Sequence, residues 1–225
     1  MYLRVFIFFL FIGIGFSWSQ AKDSINSRYL EDQIYLGITY NVLNKRPANI
    51  TSNGFSNGIF LGYIKDIPLN AQRNFGFGIG LGYGRNTYFQ NLKISEVNNA
   101  TVFEAVSGTF DRNKFSLHSL EVPVEIRWRT STATRYKFWR IYTGMKFGYV
   151  FASNAKLKQN GTTFIQNIDE VNTFQYGLTL SLGYGTWNAT MYYALNPIFS
   201  DATILDTTNE INSRELRIGL IFYIW

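Results

Sequence analysis

Ser116 and His118 are the pair whose types and spacing come nearest to catalysis. His118 is the single histidine of the 225 residues. A serine beside a histidine can act as nucleophile and base in acyl transfer, with a carboxylate behind the histidine to orient it. Residues two apart share one face of an extended strand, which would set the two side by side near a strand end. No acidic residue further along that face completes the set, so His118 reads as a rim histidine and the chain as having no catalytic residue.

The second constellation is ionic. Glu121, Glu125, Arg127 and Arg129 fall on one parity of a single stretch, and Arg140, Lys146 and Arg217 share the corresponding face of two others. Buried charge is costly unless it is paired. An internal ion network made of these seven residues is therefore the expectation, in preference to a conduction path or ligand site. There is no cysteine, which excludes disulfides and thiolate metal sites. Phosphate loops, dinucleotide fingerprints and metal-ligand clusters are absent from the sequence, so no cofactor is expected.

What must position these residues is a set of alternating strands. Phe75 to Gly84 reads F-G-F-G-I-G-L-G-Y-G. One face carries five large apolar side chains and the other only glycine. Such a strand needs oil on one side and crowded neighbours on the other, and a slip of one residue would exchange the faces. Glycines 76 to 84 would also leave room for long Arg and Glu side chains to reach across an interior.

Eight runs with period two follow from the same reading: 33–43, 55–66, 74–89, 114–129, 137–152, 171–184, 187–198 and 213–225. Their outer faces are apolar (Ile34, Leu36, Ile38 and Tyr40 in the first) and carry no charge at mid-strand. Inward positions are polar or small. The connections alternate: 44–54, 90–113, 153–170 and 199–212 are long, while 67–73, 130–136 and 185–186 are short. An even strand count with alternating long and short connections predicts an eight-stranded antiparallel up-and-down transmembrane β-barrel of the outer-membrane type. Strand directions then sort the aromatics into two belts. Tyr63, Phe75, Trp128, Trp139, Tyr184 and Trp187 lie towards one rim, and Tyr40, Tyr83, Tyr149, Tyr176 and Tyr193 towards the other. Pro123 removes a ladder hydrogen bond, so a bulge is expected there.

The ends fit a secreted barrel. Arg4 precedes an apolar run from Val5 to Phe16, and Ser17-Trp18-Ser19 supplies small residues for cleavage, which predicts a signal peptide over 1–19. A short periplasmic segment over 20–32 and the barrel over 33–225 would follow, with both barrel termini in the periplasm. Loss of Arg4 lowers the formal charge from +6 to +5, with the charges dispersed and no nucleic-acid footprint. Mean hydropathy is near zero, as alternating strands make it. Gly219, Phe222, Ile224 and Trp225 resemble the C-terminal signal that barrel-assembly machinery reads, so outer-membrane lipid and that machinery are expected partners.

Two stretches carry a family resemblance. Gly62-Tyr63-Ile64-Lys65-Asp66-Ile67-Pro68-Leu69-Asn70, leading into Arg73-Asn74-Phe75-Gly76-Phe77-Gly78, resembles PorT/SprT-family outer-membrane barrels of the Bacteroidota. So does Ser119-Leu120-Glu121-Val122-Pro123-Val124-Glu125-Ile126-Arg127-Trp128-Arg129, a form shared more loosely by small barrels of that phylum. The resemblance implies a non-enzymatic accessory or assembly component of type IX protein secretion and gliding motility, in contact with other components of that system. Working surfaces would be loops 90–113 and 153–170, or short turns with Lys65, Asp66, Arg73, Arg135 and Lys137. The alternative is an autonomous barrel, adhesin-like or envelope-stabilising, or less plainly a lipid-modifying enzyme facing outward.

Overall fold

The computed structural model describes residues 32–98, 100–130, 138–159, 161–205 and 210–224. The expected leader over 1–19, nearly all of the segment 20–32, Arg135, Lys137 and Trp225 lie outside the described residues. The strands are β1 (Asp32–Asn44), β2 (Asn57–Pro68), β3 (Phe75–Phe89), β4 (Leu92–Val97), β5 (Ala100–Ala105) and β6 (Arg112–Arg129). They continue with β7 (Trp139–Lys158), β8 (Thr162–Gln166), β9 (Phe174–Tyr184), β10 (Trp187–Ala194) and β11 (Arg214–Ile224).

Eight of these close a barrel in which every pairing is antiparallel. The order is β1, β2, β3, β6, β7, β9, β10, β11, and β11 returns to β1 with Ile34 opposite Ile224 and Asn44 opposite Arg214. The eight are the alternating runs of the sequence. β6 and β7 run further at the long-connection end than alternation suggested, and β10 stops at Ala194 instead of 198. Closure leaves no free edge within the wall, as a membrane interior demands.

The outer face is apolar and exposed along the whole wall: Ile34, Leu36 and Ile38 on β1, Ile79 and Leu81 on β3, Leu178 and Leu182 on β9. Rings cluster at both margins. Trp139 stacks near Tyr184 (5.0 Å) and Trp187 near Phe222 (5.7 Å) at the short-connection end, while Tyr40 meets Phe55 (5.1 Å) at the other. From Phe75 to Tyr83 the wall rises about 20 Å, taking ~3.4 Å per residue and a ~40° tilt. That is close to the apolar band of an outer membrane.

Two local expectations are corrected. The register shift falls between His118 and Ser119, where Phe151 of β7 is the extra residue, and not at Pro123. Pro123 stays in register with Lys146. Its cost appears on the other side, where the β3–β6 ladder is interrupted between Ile79–Val124 and Gly82–Glu121 without a shift. A proline can sit in a closed wall when one ladder bond is simply left out.

The second correction concerns the long connections, which are not open loops. β4 and β5 form a hairpin, turned at Asn98 with φ 52°, a left-handed conformation that asparagine tolerates. β8 pairs with the extension of β7, Asn154 to Lys158. Around these, Leu92, Ile94, Phe103, Ile198, Phe199 and Ile204 pack on Tyr88, Phe115 and Leu117 of the barrel strands as one buried apolar cluster. Phe115 stacks on Tyr88 (4.9 Å), and Phe199 meets both Phe103 (5.3 Å) and Phe115 (5.5 Å). The amide of Leu205 donates to the carbonyl of Phe103 (2.7 Å). The long-connection end is thus a cap whose core continues into the ends of the barrel strands.

Because the cap rests on the strand ends through this one cluster, Phe103→Ala should loosen the cap before the rest of the wall. Truncating a buried Phe costs about 3–5 kcal/mol. The expected result is rapid tryptic cleavage at Lys93 on the β4–β5 hairpin, with little change in the urea midpoint of the barrel in detergent.

Candidate functional site

The charged residues singled out from the sequence all lie inside the barrel, and all but Arg140 fall in two groups. The first sits near the short connections. Arg127 is fully buried and donates to Asp66 (3.0 Å) and Gln33 (3.0 Å), with Glu125 also at 3.0 Å. Arg129 grips both oxygens of the same Asp66 (2.5 and 3.1 Å) and donates to the carbonyl of Arg73 (2.7 Å). Two cations and two carboxylates make this group neutral.

The second group lies deeper. Glu121 bridges Lys146 (2.8 Å) and Arg217 (2.9 Å). Arg217 also pairs with Glu215, whose other oxygen accepts the hydroxyl of Tyr88. Again two cations face two carboxylates. Aromatic faces complete the shells: Arg127 lies over Tyr142 (4.4 Å), Arg217 over Tyr192 (4.4 Å) and Lys146 over Phe60 (4.8 Å). Arg140 donates to the carbonyl of Gly185 (2.9 Å) and lies over the rings of Phe138 and Tyr223, the latter shared with Arg127.

The glycine face of β3 is what accommodates these side chains. A Cβ on Gly78 would lie 2.6 Å from Nε of Arg127, and one on Gly84 2.7 Å from Oε1 of Glu121. Neither atom is free to retreat: Nε of Arg127 donates to Glu125 on its own strand (3.0 Å), and Oε1 of Glu121 accepts from Arg217 (2.9 Å).

The interior is less polar than the alternation implied. Tyr35, Phe60, Ile64 and Ile221 form an apolar cluster inside the bore, packed against Tyr223. The space left among these side chains, Glu125, Arg127 and Lys146 is a cavity of about 20 Å³, enough for roughly one water.

Asp66 is the residue that sequence reasoning placed wrongly. It was expected on an exposed turn, yet it is 1% exposed and serves as the shared counter-ion of Arg127 and Arg129. Its parity with Phe60 and Ile64 on β2, both inward, was the available signal. The turn after it is built on that anchor: Asn70 Oδ1 accepts the amide of Phe75 (3.3 Å), and the amide of Arg129 donates to Asn74 (2.8 Å). Lys65 does face out, with an exposed pairing to Asp32 at 3.8 Å.

Ser116 and His118 are not presented together. Ser116 is fully buried, its Oγ 3.0 Å from that of Thr87. His118 is half-buried at the ring-lined margin, with Nδ1 2.7 Å from the hydroxyl of Tyr83. At the C-terminal end, Gly219 packs so closely on β1 that a Cβ would lie 1.9 Å from the carbonyl oxygen of Ile38. Phe222 and Ile224 point outward beside it.

Residues 18–200 match the family described as "Outer membrane protein beta-barrel domain". No curated protein matches the chain.

Breaking the shared counter-ion should separate buried from exposed pairing. Asp66→Asn leaves two buried guanidinium groups short of charge and is expected to cost about 3–5 kcal/mol, whereas Lys65→Gln costs less than ~1 kcal/mol. Gly78→Leu should match Asp66→Asn by displacing Arg127. Urea unfolding of the refolded barrel in detergent micelles measures all three.

Proposed function

The chain belongs to the family of outer membrane protein beta-barrel domains, and on that footing we propose that it is a non-enzymatic accessory or assembly component of the type IX secretion machinery and of gliding motility. Its place is the outer membrane. Both described barrel ends, Asp32 and Ile224, lie with the short connections. In the proposed orientation that end faces the periplasm and the cap faces outward, following the plan of short periplasmic turns.

The observation that carries this reading is the filled bore. Two neutral ion groups and an apolar cluster fill the bore, and the cavity among them is about 20 Å³, so cargo does not pass through this barrel. Its action is then on its surfaces: the cap, and the short turns that include Lys65 and Arg73. The turn from Asp66 to Asn70, which carries the resemblance to PorT/SprT barrels, is held rigid by the ion group behind it and suits a fixed docking point. The burial of Ser116 away from His118 supports a non-enzymatic role.

Deleting the gene is expected to abolish secretion of cargo bearing the type IX C-terminal signal and, in a gliding species, to stop movement. Wild-type complementation should restore both, scored by cargo in the culture supernatant. Normal secretion with a fragile envelope would overturn the proposal in favour of an autonomous, envelope-stabilising barrel.

A further inference from the structure

Outside the lumen, one stretch of wall carries positive charge without compensation. It lies on β3, β6 and β7 just beyond the margin where Tyr83, His118 and Phe151 meet. Arg85 sits opposite His118, and Lys114 sits directly opposite Lys156, with Arg112 one outward position further along β6. Like charges opposed across a ladder are destabilising. No carboxylate among the described residues lies within ion-pair distance of Arg85, Arg112, Lys114 or Lys156. The neighbouring Lys158, in contrast, pairs with Asp111 at 3.0 Å, and Lys93 on the cap pairs with Glu104 at 2.9 Å.

The crowding has an electrostatic signature. Partial burial, and then the charges of Arg85, Arg112 and Lys156, hold the Lys114 ammonium below the usual lysine range. Lys114 stands outside the apolar band, whose outward residues on β6 run from Leu120 to Trp128. An anion at this point would relieve the repulsion. Its height says which anion: the cations begin where the lipid-facing apolar wall ends, at the level of membrane headgroups. A groove of about 570 Å³ between Phe55, Phe89, Phe110 and Arg112 adjoins the patch.

We propose that Arg85, Arg112, Lys114 and Lys156 form a binding site for the phosphorylated headgroup of a lipid in the leaflet at the capped end. Guanidinium and ammonium groups together suit phosphate, one by paired donors and the other as point charges. With the cap outward, as proposed above, that lipid is a phosphorylated glycolipid of the outer leaflet. The site holds the barrel at a set height and rotation against its lipid neighbours, and keeps the cap clear of the membrane.

The probe is bisphosphorylated lipid A in phosphatidylcholine nanodiscs, with retained lipid counted by native mass spectrometry of the full barrel. Wild type should retain it and should discriminate against the dephosphorylated form. The combined variant Arg85→Gln, Lys114→Gln and Lys156→Gln should weaken retention at least tenfold, since each surface cation contributes appreciably to anionic-lipid binding. Lys45→Gln with Arg46→Gln, at the same end but off the patch, should leave it unchanged. Lys114→Gln alone should give a partial loss, which keeps the test open if the combined variant fails to fold by circular dichroism. Equal retention by the combined variant, equal retention of dephosphorylated lipid, or displacement by inorganic phosphate alone would overturn the lipid site. Nanodiscs present both leaflets alike, so this outcome is independent of the orientation and of the secretion assay.

Discussion

Charge buried inside a narrow barrel requires both a partner and room, and the wall of this protein is built around that double demand. Arg127 could not lie across the bore if Gly78 carried a side chain, and Glu121 could not reach Arg217 past a residue larger than glycine at position 84. Each ion group is neutral by itself, so neither leaves a net charge for the other to offset. The apolar cluster of Tyr35, Phe60, Ile64 and Ile221 fills the interval between strands that the ions do not occupy. Glycine on β3 therefore serves packing here more than backbone freedom.

The two ends of the barrel are stabilised differently, and this bears on how the protein meets its surroundings. At the short-connection end, the turn after β2 is fastened directly to the lumen by Arg129 through Asp66 and the carbonyl of Arg73. At the other end, the long connections bury their own rings on the tops of β3 and β6. The core of the cap continues into the strand ends through Leu43, Tyr88, Phe115 and Leu117.

Between these ends the outer wall grades from apolar to cationic within a few residues. Leu120 is exposed on the outer face, His118 hydrogen-bonds with the hydroxyl of Tyr83, and Lys114 lies among other cations. The bulge at Phe151 sits at the transition. An extra residue there increases local twist, and beyond it the extension of β7 stays paired with β6 and takes on β8.

Alternation alone determined the eight wall strands, their inner and outer faces and the aromatic margins, since period two is written residue by residue and membrane lipid punishes any slip. The inward set of Glu121, Glu125, Arg127, Arg129, Arg140, Lys146 and Arg217 was legible for the same reason. Who pairs with whom was not. Tyr88 and Glu215 meet across 127 positions of chain, and Asp66 turns inward to two arginines on a strand it does not adjoin in sequence. The hairpin and β8 within the long connections, and the burial of Ser116, were equally hidden: short segments take their structure from a shared core. Only closure of the barrel decides which distant residues share that core, because burial and ion pairing depend on distance in space and not on spacing along the chain.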